Sequence, residues 1–147
     1  RRASGSVILV TTGETPSLSG SVFAEIIGDR RGSFPTIDLE RLNHLLGVIA
    51  ELVTADDLVN AATNLGAGGL LAGAVKLARL AAKGLRIELE DASVEALLAE
   101  HPSRFLLVTE QPAALVNYLL GEGLETAIIG ELGGDAIEYE DWLHLVR

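Results

Sequence analysis

The strongest constraint on the fold of this chain is that segments with the hydrophobic pattern of strands alternate with segments that have the hydrophobic pattern of helices. Short β-branched or alternating segments predict strands at 6–11, 58–62, 85–89, 104–109, 125–132 and 136–139. Apolar residues at three- and four-residue spacings between them predict helices at 22–27, 39–53, 70–83, 93–100 and 112–121. The pattern predicts an α+β domain close to the α/β type, with a mixed sheet flanked by helices.

Several residues are expected to mark the ends of these elements. We expect Ser19 to cap the first helix, Asp38 the second and Ser93 the fourth, because serine and aspartate accept hydrogen bonds from free helical N–H groups. Gly28 and Gly84 are expected to end the first and third helices. The segment Gly133-Gly134-Asp135 predicts a hairpin-type turn between the last two strands.

The second helix has a strongly apolar face. Its helical spacing predicts that one stripe of residues packs against the sheet. The stripe consists of Leu39, Leu42, Leu45, Leu46, Ile49 and Val53.

Composition narrows the class of protein. At 147 residues and 48% hydrophobic content, the chain can form one compact domain spanning 1–147. The absence of cysteine excludes disulfides, zinc ribbons and thiol catalysis. A net charge of −10 opposes binding to nucleic acids and anionic membranes.

The ends of the sequence and its apolar runs bear on location. No apolar run is long enough to predict a membrane span, and no signal-peptide pattern opens the chain. The sequence opens on Arg1 and contains no methionine, which favours a domain taken from a longer, cytoplasmic protein.

A glycine cluster, Asn64-Leu65-Gly66-Ala67-Gly68-Gly69, lies between a predicted strand and a predicted helix. Its main-chain N–H groups could approach an anion at the helix start, where the helix dipole adds partial positive charge. The alternative is that the glycines serve a tight turn and close packing of the helix on the sheet. The pattern matches neither a dinucleotide-binding nor a P-loop motif.

The titratable residues form no self-sufficient catalytic set by spacing. His44 is expected on the surface, His101 lies in a loop where a catalytic role is possible, and His144 is expected to be unconnected with chemistry. Carboxylates that could suggest metal binding are better explained as solvated edges and turns. These are Asp56, Asp57, Glu88, Glu90 and Asp91.

An ordered set of motifs resembles one family. The segment 18–23, Leu-Ser-Gly-Ser-Val-Phe, is similar to the L-G-G-S-x-[YF] element of phosphoribosylformylglycinamidine synthase, and 32–39 to its G-x-P-P-x-[VI]-D-L. The segment 100–106 resembles S-E-x-x-S-R-F, with Ala99 in place of the first serine, and 127–131 resembles A-x-[VI]-I-G-E. Taken in this order, the motifs span nearly the whole chain.

The resemblance implies a carboxy-terminal domain of the aminoimidazole-ribotide-synthetase-like superfamily. The implied parent reaction converts formylglycinamide ribotide and glutamine-derived ammonia to formylglycinamidine ribotide with ATP and magnesium. The implied partners are an amino-terminal ATP-binding domain of the same chain and a glutaminase. The substrate- or nucleotide-binding positions that it implies are Ser19, Gly20, Ser21, Asn64, Gly66, Gly68, Gly69, Glu100, Ser103 and Arg104.

The chain departs from the family pattern at its glycine loop. Where the family has H-D-x-S-D-G-G, this chain has Thr63, Asn64, Leu65, Gly66 and Ala67 before the two glycines. Magnesium favours anionic oxygen ligands, and none remains here. We therefore expect a main-chain role for the loop, with metal and catalytic side chains on another domain, so that the isolated chain is inactive. A non-catalytic scaffold domain and another ATP-using superfamily member are the alternatives.

Overall fold

A computed structural model describes residues 4–29, 31–55, 57–90, 93–134 and 137–139, the last three by their backbone. The strands are β1 (Gly5–Thr11), β2 (Ala61–Asn64), β3 (Leu85–Ile87), β4 (Arg104–Thr109), β5 (Glu125–Leu132) and β6 (Ile137–Tyr139). The helices are α1 (Val22–Ile27), α2 (Leu39–Ala55), α3 (Gly69–Ala81), α4 (Val94–Leu98) and α5 (Pro112–Gly121). The predicted α+β class is confirmed.

All six strands join one sheet in the order β2-β4-β1-β5-β3-β6. Every pair is antiparallel except β3 with β6, so the sheet is mixed, as predicted. The hairpin predicted between the last two strands is wrong, because β3 lies between β5 and β6. Gly84 exchanges main-chain hydrogen bonds with Gly133 and Gly134 at that edge. Strand β3, which is distant in sequence, therefore pairs with β5 in the place predicted for β6.

The alternation of side chains along β1 and β4 separates two hydrophobic cores. Val7, Leu106 and Val108 face α3 and α4, together with Leu77 of α3. On the other face, Ile8 and Leu107 contact the layer formed by α2 and α5. Because successive strand residues point to opposite faces, one central strand pair supports helices on both sides. No helix in the described ranges is long and apolar enough to cross a bilayer.

The buried face of α2 is rotated from the predicted stripe. Leu45 and Ile49 are buried as expected, but Leu39, Leu46 and Val53 are 74%, 46% and 51% exposed. Val48 and Leu52, which were left out of the predicted stripe, complete the buried face. Apolar residues lie on more than one side of this helix, so spacing alone does not identify the buried stripe.

The start of α1 differs from the prediction. Ser21, not Ser19, caps this helix, since its hydroxyl accepts a hydrogen bond from the Ala24 N–H. Gly28 ends α1 in the left-handed conformation, as predicted. Asp38 accepts hydrogen bonds from the N–H groups of Glu40 and Arg41, and the Ser93 hydroxyl accepts one from Ala96, so both predicted caps are confirmed.

The end of α3 also differs. Ala82, not Gly84, adopts the left-handed conformation, with φ of 50°. The N–H groups of Ala82 and Lys83 donate to Arg79 and Ala78, which is the hydrogen-bond pattern of a Schellman motif. Gly84 is instead needed for the contacts with Gly133 and Gly134.

Strand β2 begins later than predicted. The predicted segment 58–62 gives way to Ala61–Asn64, because the ladder with β4 pairs Ala61 with Val108 and Asn64 with Phe105. Val59 is buried against α2 as part of the connection. The predicted fifth strand and fifth helix have the observed bounds.

Candidate functional site

A groove of about 470 Å³ opens where the starts of α1 and α3 approach α2. Most of the residues singled out in the sequence meet here: six of the predicted positions line this groove, namely Ser19, Gly20, Ser21, Asn64, Gly66 and Glu100. Apolar side chains complete the wall, among them Phe34, Leu42 and Leu46. Phe34 is 78% exposed, so an aromatic ring stands at the rim.

The carboxylate of Glu100 joins the two helix starts. Its Oε1 atom accepts hydrogen bonds from the main-chain N–H of Val22 at 2.8 Å and of Gly68 at 2.9 Å. A carboxylate is favourable here because the N-terminal ends of helices carry partial positive charge. One main-chain donor of the glycine loop is therefore bound to the chain's own anion.

Two hydrogen-bonding side chains in the groove remain available. The Ser19 hydroxyl and the Asn64 carboxamide make no hydrogen bond to another described residue, although the main-chain N–H of Ser19 donates to Ser17 Oγ. Ser21 is different, because its hydroxyl donates to the Leu18 carbonyl and accepts from Ala24. Ser19 and Asn64 are thus the polar side chains best placed to meet a ligand.

The glycines of the loop have separate structural roles. Gly68 and Gly69 have positive φ values of 81° and 61°. A Cβ at Gly69 would lie 2.8 Å from the carbonyl oxygens of Leu97 and Ala99, so this position allows α3 to approach the end of α4. Gly66 has no such neighbour. Close packing therefore requires Gly69, but the packing is between α3 and the end of α4, not between a helix and the sheet as predicted.

Four predicted positions do not line the groove, namely the loop residues Gly68 and Gly69, and Ser103 and Arg104. Ser103 is fully buried, and Arg104 is 6% exposed on the opposite face of β4, where it lines a second cavity of about 530 Å³. The Arg104 guanidinium donates to the carbonyls of Ala96 and Ala99 at the end of α4. Burial lowers the pKa of Arg104.

A buried polar network that the sequence did not indicate lies beneath the groove. The Ser103 hydroxyl lies 2.8 Å from Glu14 Oε2 and 2.6 Å from His101 Nδ1. His101 Nε2 lies 3.1 Å from the Thr36 carbonyl oxygen, which can only accept, so Nε2 carries a proton. The network ties β4 and its preceding loop to the segments on either side of α1.

This network has the residue types of a catalytic triad but not its arrangement. In a triad the histidine lies between the serine and the carboxylate, whereas here Ser103 lies between His101 and Glu14. Ser103 is fully buried and His101, in the lining of the groove, is 2% exposed, so the hydroxyl is shielded from solvent. In this arrangement His101 joins Ser103 to the Thr36 main chain, and a catalytic role for His101 stays a prediction.

Glu14 is held in its charged form. Partial burial raises its pKa, but hydrogen bonds outweigh this effect and lower the pKa from 4.5 to about 2. The donors are the Thr12 hydroxyl, the Asp38 N–H and the Ser103 hydroxyl, with a further contribution from nearby His101. The sequence offers only the position of Glu14 in a polar turn, since two of its partners, Asp38 and Ser103, are distant in sequence.

The remaining titratable residues lie apart from the groove. His44 is on the surface, as predicted, with Nε2 3.0 Å from the Glu122 carbonyl oxygen. Asp57, Glu88 and Glu90 are exposed, while Asp56, Asp91 and His144 fall outside the described residues. Within the described ranges, no group of three histidine or carboxylate side chains could hold a metal ion.

Residues 3–142 match the family described as AIR synthase related protein, C-terminal domain. The chain belongs to this family. Among its relatives are the phosphoribosylformylglycinamidine synthase subunits PurL of Streptomyces avermitilis, 31% identical over 139 residues, and of Ruegeria pomeroyi, 34% identical over 140 residues. Each alignment covers 90% of this chain but 18% of the relative, so this AIR synthase C-terminal domain spans about a fifth of their length.

Solved structures agree with the fold of this AIR synthase C-terminal domain. Phosphoribosylformylglycinamidine synthase II of Thermotoga maritima superposes with a TM-score of 0.70 over 96% of this chain and 24% of that one, at 18% identity. The HypE–HypF complex gives 0.61 over 95% of this chain and 52% of that one, at 17% identity. At such low identity these likenesses establish the fold alone. They confirm the predicted AIR-synthase-like architecture.

Proposed function

We propose that this chain is the carboxy-terminal domain of a phosphoribosylformylglycinamidine synthase, acting in the cytoplasm in de novo purine biosynthesis. The parent enzyme would convert formylglycinamide ribotide and glutamine to formylglycinamidine ribotide with ATP. The observation that carries the proposal is the convergence, in one groove, of six positions selected by their likeness to the synthase motifs. The identity to PurL subunits over nine-tenths of the chain supports it.

In this proposal the groove is one wall of a composite cleft. The Ser19 hydroxyl and the Asn64 carboxamide would bind an oxygen-rich ligand, while Glu100 holds the starts of α1 and α3 at a fixed separation. The exposed Phe34 and Leu46 at the rim would pack against the amino-terminal domain. Apolar side chains at a groove edge favour such a domain contact.

Among the described residues, those around the groove do not fit a magnesium site. Asn64 in the glycine loop offers an amide oxygen, and the Glu100 carboxylate is already bound to two main-chain N–H groups. Magnesium bound with ATP would therefore require carboxylates of the amino-terminal domain. T. maritima PurL has been solved in complex with ATP, and a PurLQS assembly from the same organism is also known. By analogy, we propose ATP use and a glutaminase partner for the parent chain.

The decisive experiment is calorimetric titration of the full-length protein with ADP and magnesium, together with an assay of amidine formation. We expect heat of binding and turnover for the full-length protein, and a folded but inactive 147-residue chain. In the full-length enzyme, Asn64→Ala and Ser19→Ala should raise KM, whereas Glu90→Ala, an exposed change outside the groove, should not. Turnover by the 147-residue chain alone would contradict the composite cleft.

The alternatives predict other results. A scaffold domain would give no heat with ADP and magnesium even in the full-length protein. Another ATP-using member of the superfamily, such as a selenophosphate synthetase, thiamine-phosphate kinase or hydrogenase-maturation protein, would bind nucleotide without forming an amidine. The fold likeness to the HypE–HypF complex is the reason to test this last alternative.

A further inference from the structure

Positive charge is concentrated in one part of this acidic chain. None of the 21 acidic residues falls within 58–87, whereas four of the 11 basic residues do. Three of these basic residues, Lys76, Arg79 and Lys83, lie in or just after α3. Helices on the surface of soluble proteins commonly pair lysine with glutamate one turn away, and α3 offers no such partner.

The outer surface of α3 is also apolar. A groove of about 740 Å³ runs between α3 and the end of α4, with Leu71, Val75 and Leu98 in its walls. Leu80 closes one end and is 74% exposed. From Gly68 to Leu80 the groove follows α3 for about 18 Å at the rise of an α-helix.

Two cations line this apolar groove. Lys76 and Arg79 are both in its wall, and neither forms an ion pair with a residue in the described ranges. A groove between two helices with regularly spaced apolar residues is the kind of surface that receives an amphipathic helix. The cations at its edge would select carboxylates on that helix.

We propose that the α3–α4 groove is the docking site of an acidic amphipathic helix from another part of the same longer polypeptide. This inference rests on the proposed function, because the chain covers 18% of the length of its PurL relatives and the remainder would supply the helix. The apolar side of that helix contacts Leu71, Val75 and Leu80, and its carboxylates pair with Lys76 and Arg79. The groove is distinct from the candidate ligand groove, since the two share no lining residue.

Lysine chemistry tests this proposal well, because Lys76 and Lys83 are the only lysines in the sequence. Lys76 is exposed in the domain and lines the groove, whereas Lys83 is half-buried and does not line it. In the full-length protein, acetylation by N-hydroxysuccinimide acetate should therefore modify Lys76 several-fold more slowly than Lys83. A carbodiimide, which joins amines directly to carboxylates, should link Lys76 to an acidic residue outside 1–147.

Variants of the full-length protein provide the second measurement. Lys76→Glu with Arg79→Glu, and separately Leu80→Glu, should raise the hydrogen exchange of α3 several-fold by releasing the docked helix. Lys83→Glu is the matched control and should leave the hydrogen exchange of α3 unchanged. Exchange in β4 reports whether a variant still folds, because this central strand belongs to both cores.

The outcomes separate this proposal from the one on function. Fast acetylation of Lys76 with no cross-link outside 1–147 would overturn the docking site, even if ADP and magnesium bind. A Lys76 cross-link that forms only between isotopically distinct copies would assign the groove to a second copy and also overturn it. Protection of Lys76 only upon adding phosphatidylserine vesicles would assign the groove to a membrane surface and also overturn the docking site. A cross-link within one chain but no nucleotide binding would leave the docking site standing and remove the function.

Discussion

Glu100 Oε1 lies 2.9 Å from the main-chain nitrogen of Gly68, so a carboxylate from the α4–β4 connection binds the start of α3. The same oxygen accepts the Val22 N–H at the start of α1. One side chain thereby joins the starts of two helices that are separated by 41 residues of sequence, and the segments preceding both helices line the candidate ligand groove.

Removal of this carboxylate should destabilise the domain. Glu100→Ala leaves the Val22 and Gly68 N–H groups without their acceptor, and we expect a loss of about 1–2 kcal/mol in the free energy of unfolding. Glu100→Gln keeps an acceptor oxygen and should lose less. Urea denaturation measures both. Equal stability of Glu100→Ala and wild type would show that the contact does not hold in solution.

Glu14 should make stability depend on acid pH. Its pKa is lowered from 4.5 to about 2 in the folded state, so its contribution is present above pH 4.5 and is lost as the pH falls towards 2. In Glu14→Gln the free energy of unfolding should vary less over this window and be about 1 kcal/mol lower at pH 7. Unfolding midpoints measured from pH 2 to 7 test the difference.

Asp29 is a useful comparison for this experiment. A side-chain hydrogen bond from Arg31 lowers the pKa of Asp29 to about 2 as well. Arg31 is 90% exposed and only two residues away, so the pair is screened by water and can also form in the unfolded chain. Asp29→Asn should therefore retain the pH dependence of the wild type. An equal flattening in both variants would refute the special role of the buried network.

Gly66 and Gly69, both in the glycine loop, should differ sharply in their tolerance of substitution by alanine. Gly69→Ala places a Cβ 2.8 Å from two carbonyl oxygens of the α4 end, in a backbone conformation that alanine disfavours. We expect a loss of about 2–4 kcal/mol or failure to fold. In Gly66→Ala the added Cβ would meet only the Asn64 side-chain nitrogen, at 3.8 Å, and the change in stability should be less than about 1 kcal/mol. Thermal unfolding of the pair measures the contrast, and equal tolerance would mean that α3 and α4 pack less closely than described.

Ala82→Gly should stabilise the domain. Ala82 ends α3 in the left-handed conformation with φ of 50°, which glycine adopts without a clash. We expect a gain of about 0.5–1 kcal/mol in the free energy of unfolding, reduced by the greater flexibility of glycine in the unfolded chain. Ala81→Gly, one residue earlier within the helix, is the control and should destabilise. A loss of stability in Ala82→Gly would contradict the Schellman end.

Residues that are close together in the sequence were sufficient to predict much of the fold. The bounds of β4, α5 and β5 follow from apolar runs flanked by proline and glycine, and the caps at Asp38 and Ser93 follow from side chains that bind N–H groups within three residues. These features depend on neighbours in sequence, so they can be predicted from the sequence alone. The motif order likewise selected six positions that line the candidate ligand groove.

Other features required partners that are distant in sequence. Spacing could not identify which leucines of α2 are buried, because that depends on how much of the helix the sheet covers. The position of β6 beside β3, the Glu14–Ser103–His101 network and the bond from Glu100 to Gly68 each join residues that are far apart in the chain.

The sequence by itself determined the helices, the strands, the mixed α+β class and the family, because these depend on local propensity and on ordered motifs. Only the tertiary structure decided the strand order, the buried side of α2 and the separation of Arg104 from the groove. Side chains on one strand point to opposite faces, so adjacent motif residues such as Arg104 and Phe105 lie on different sides of the sheet.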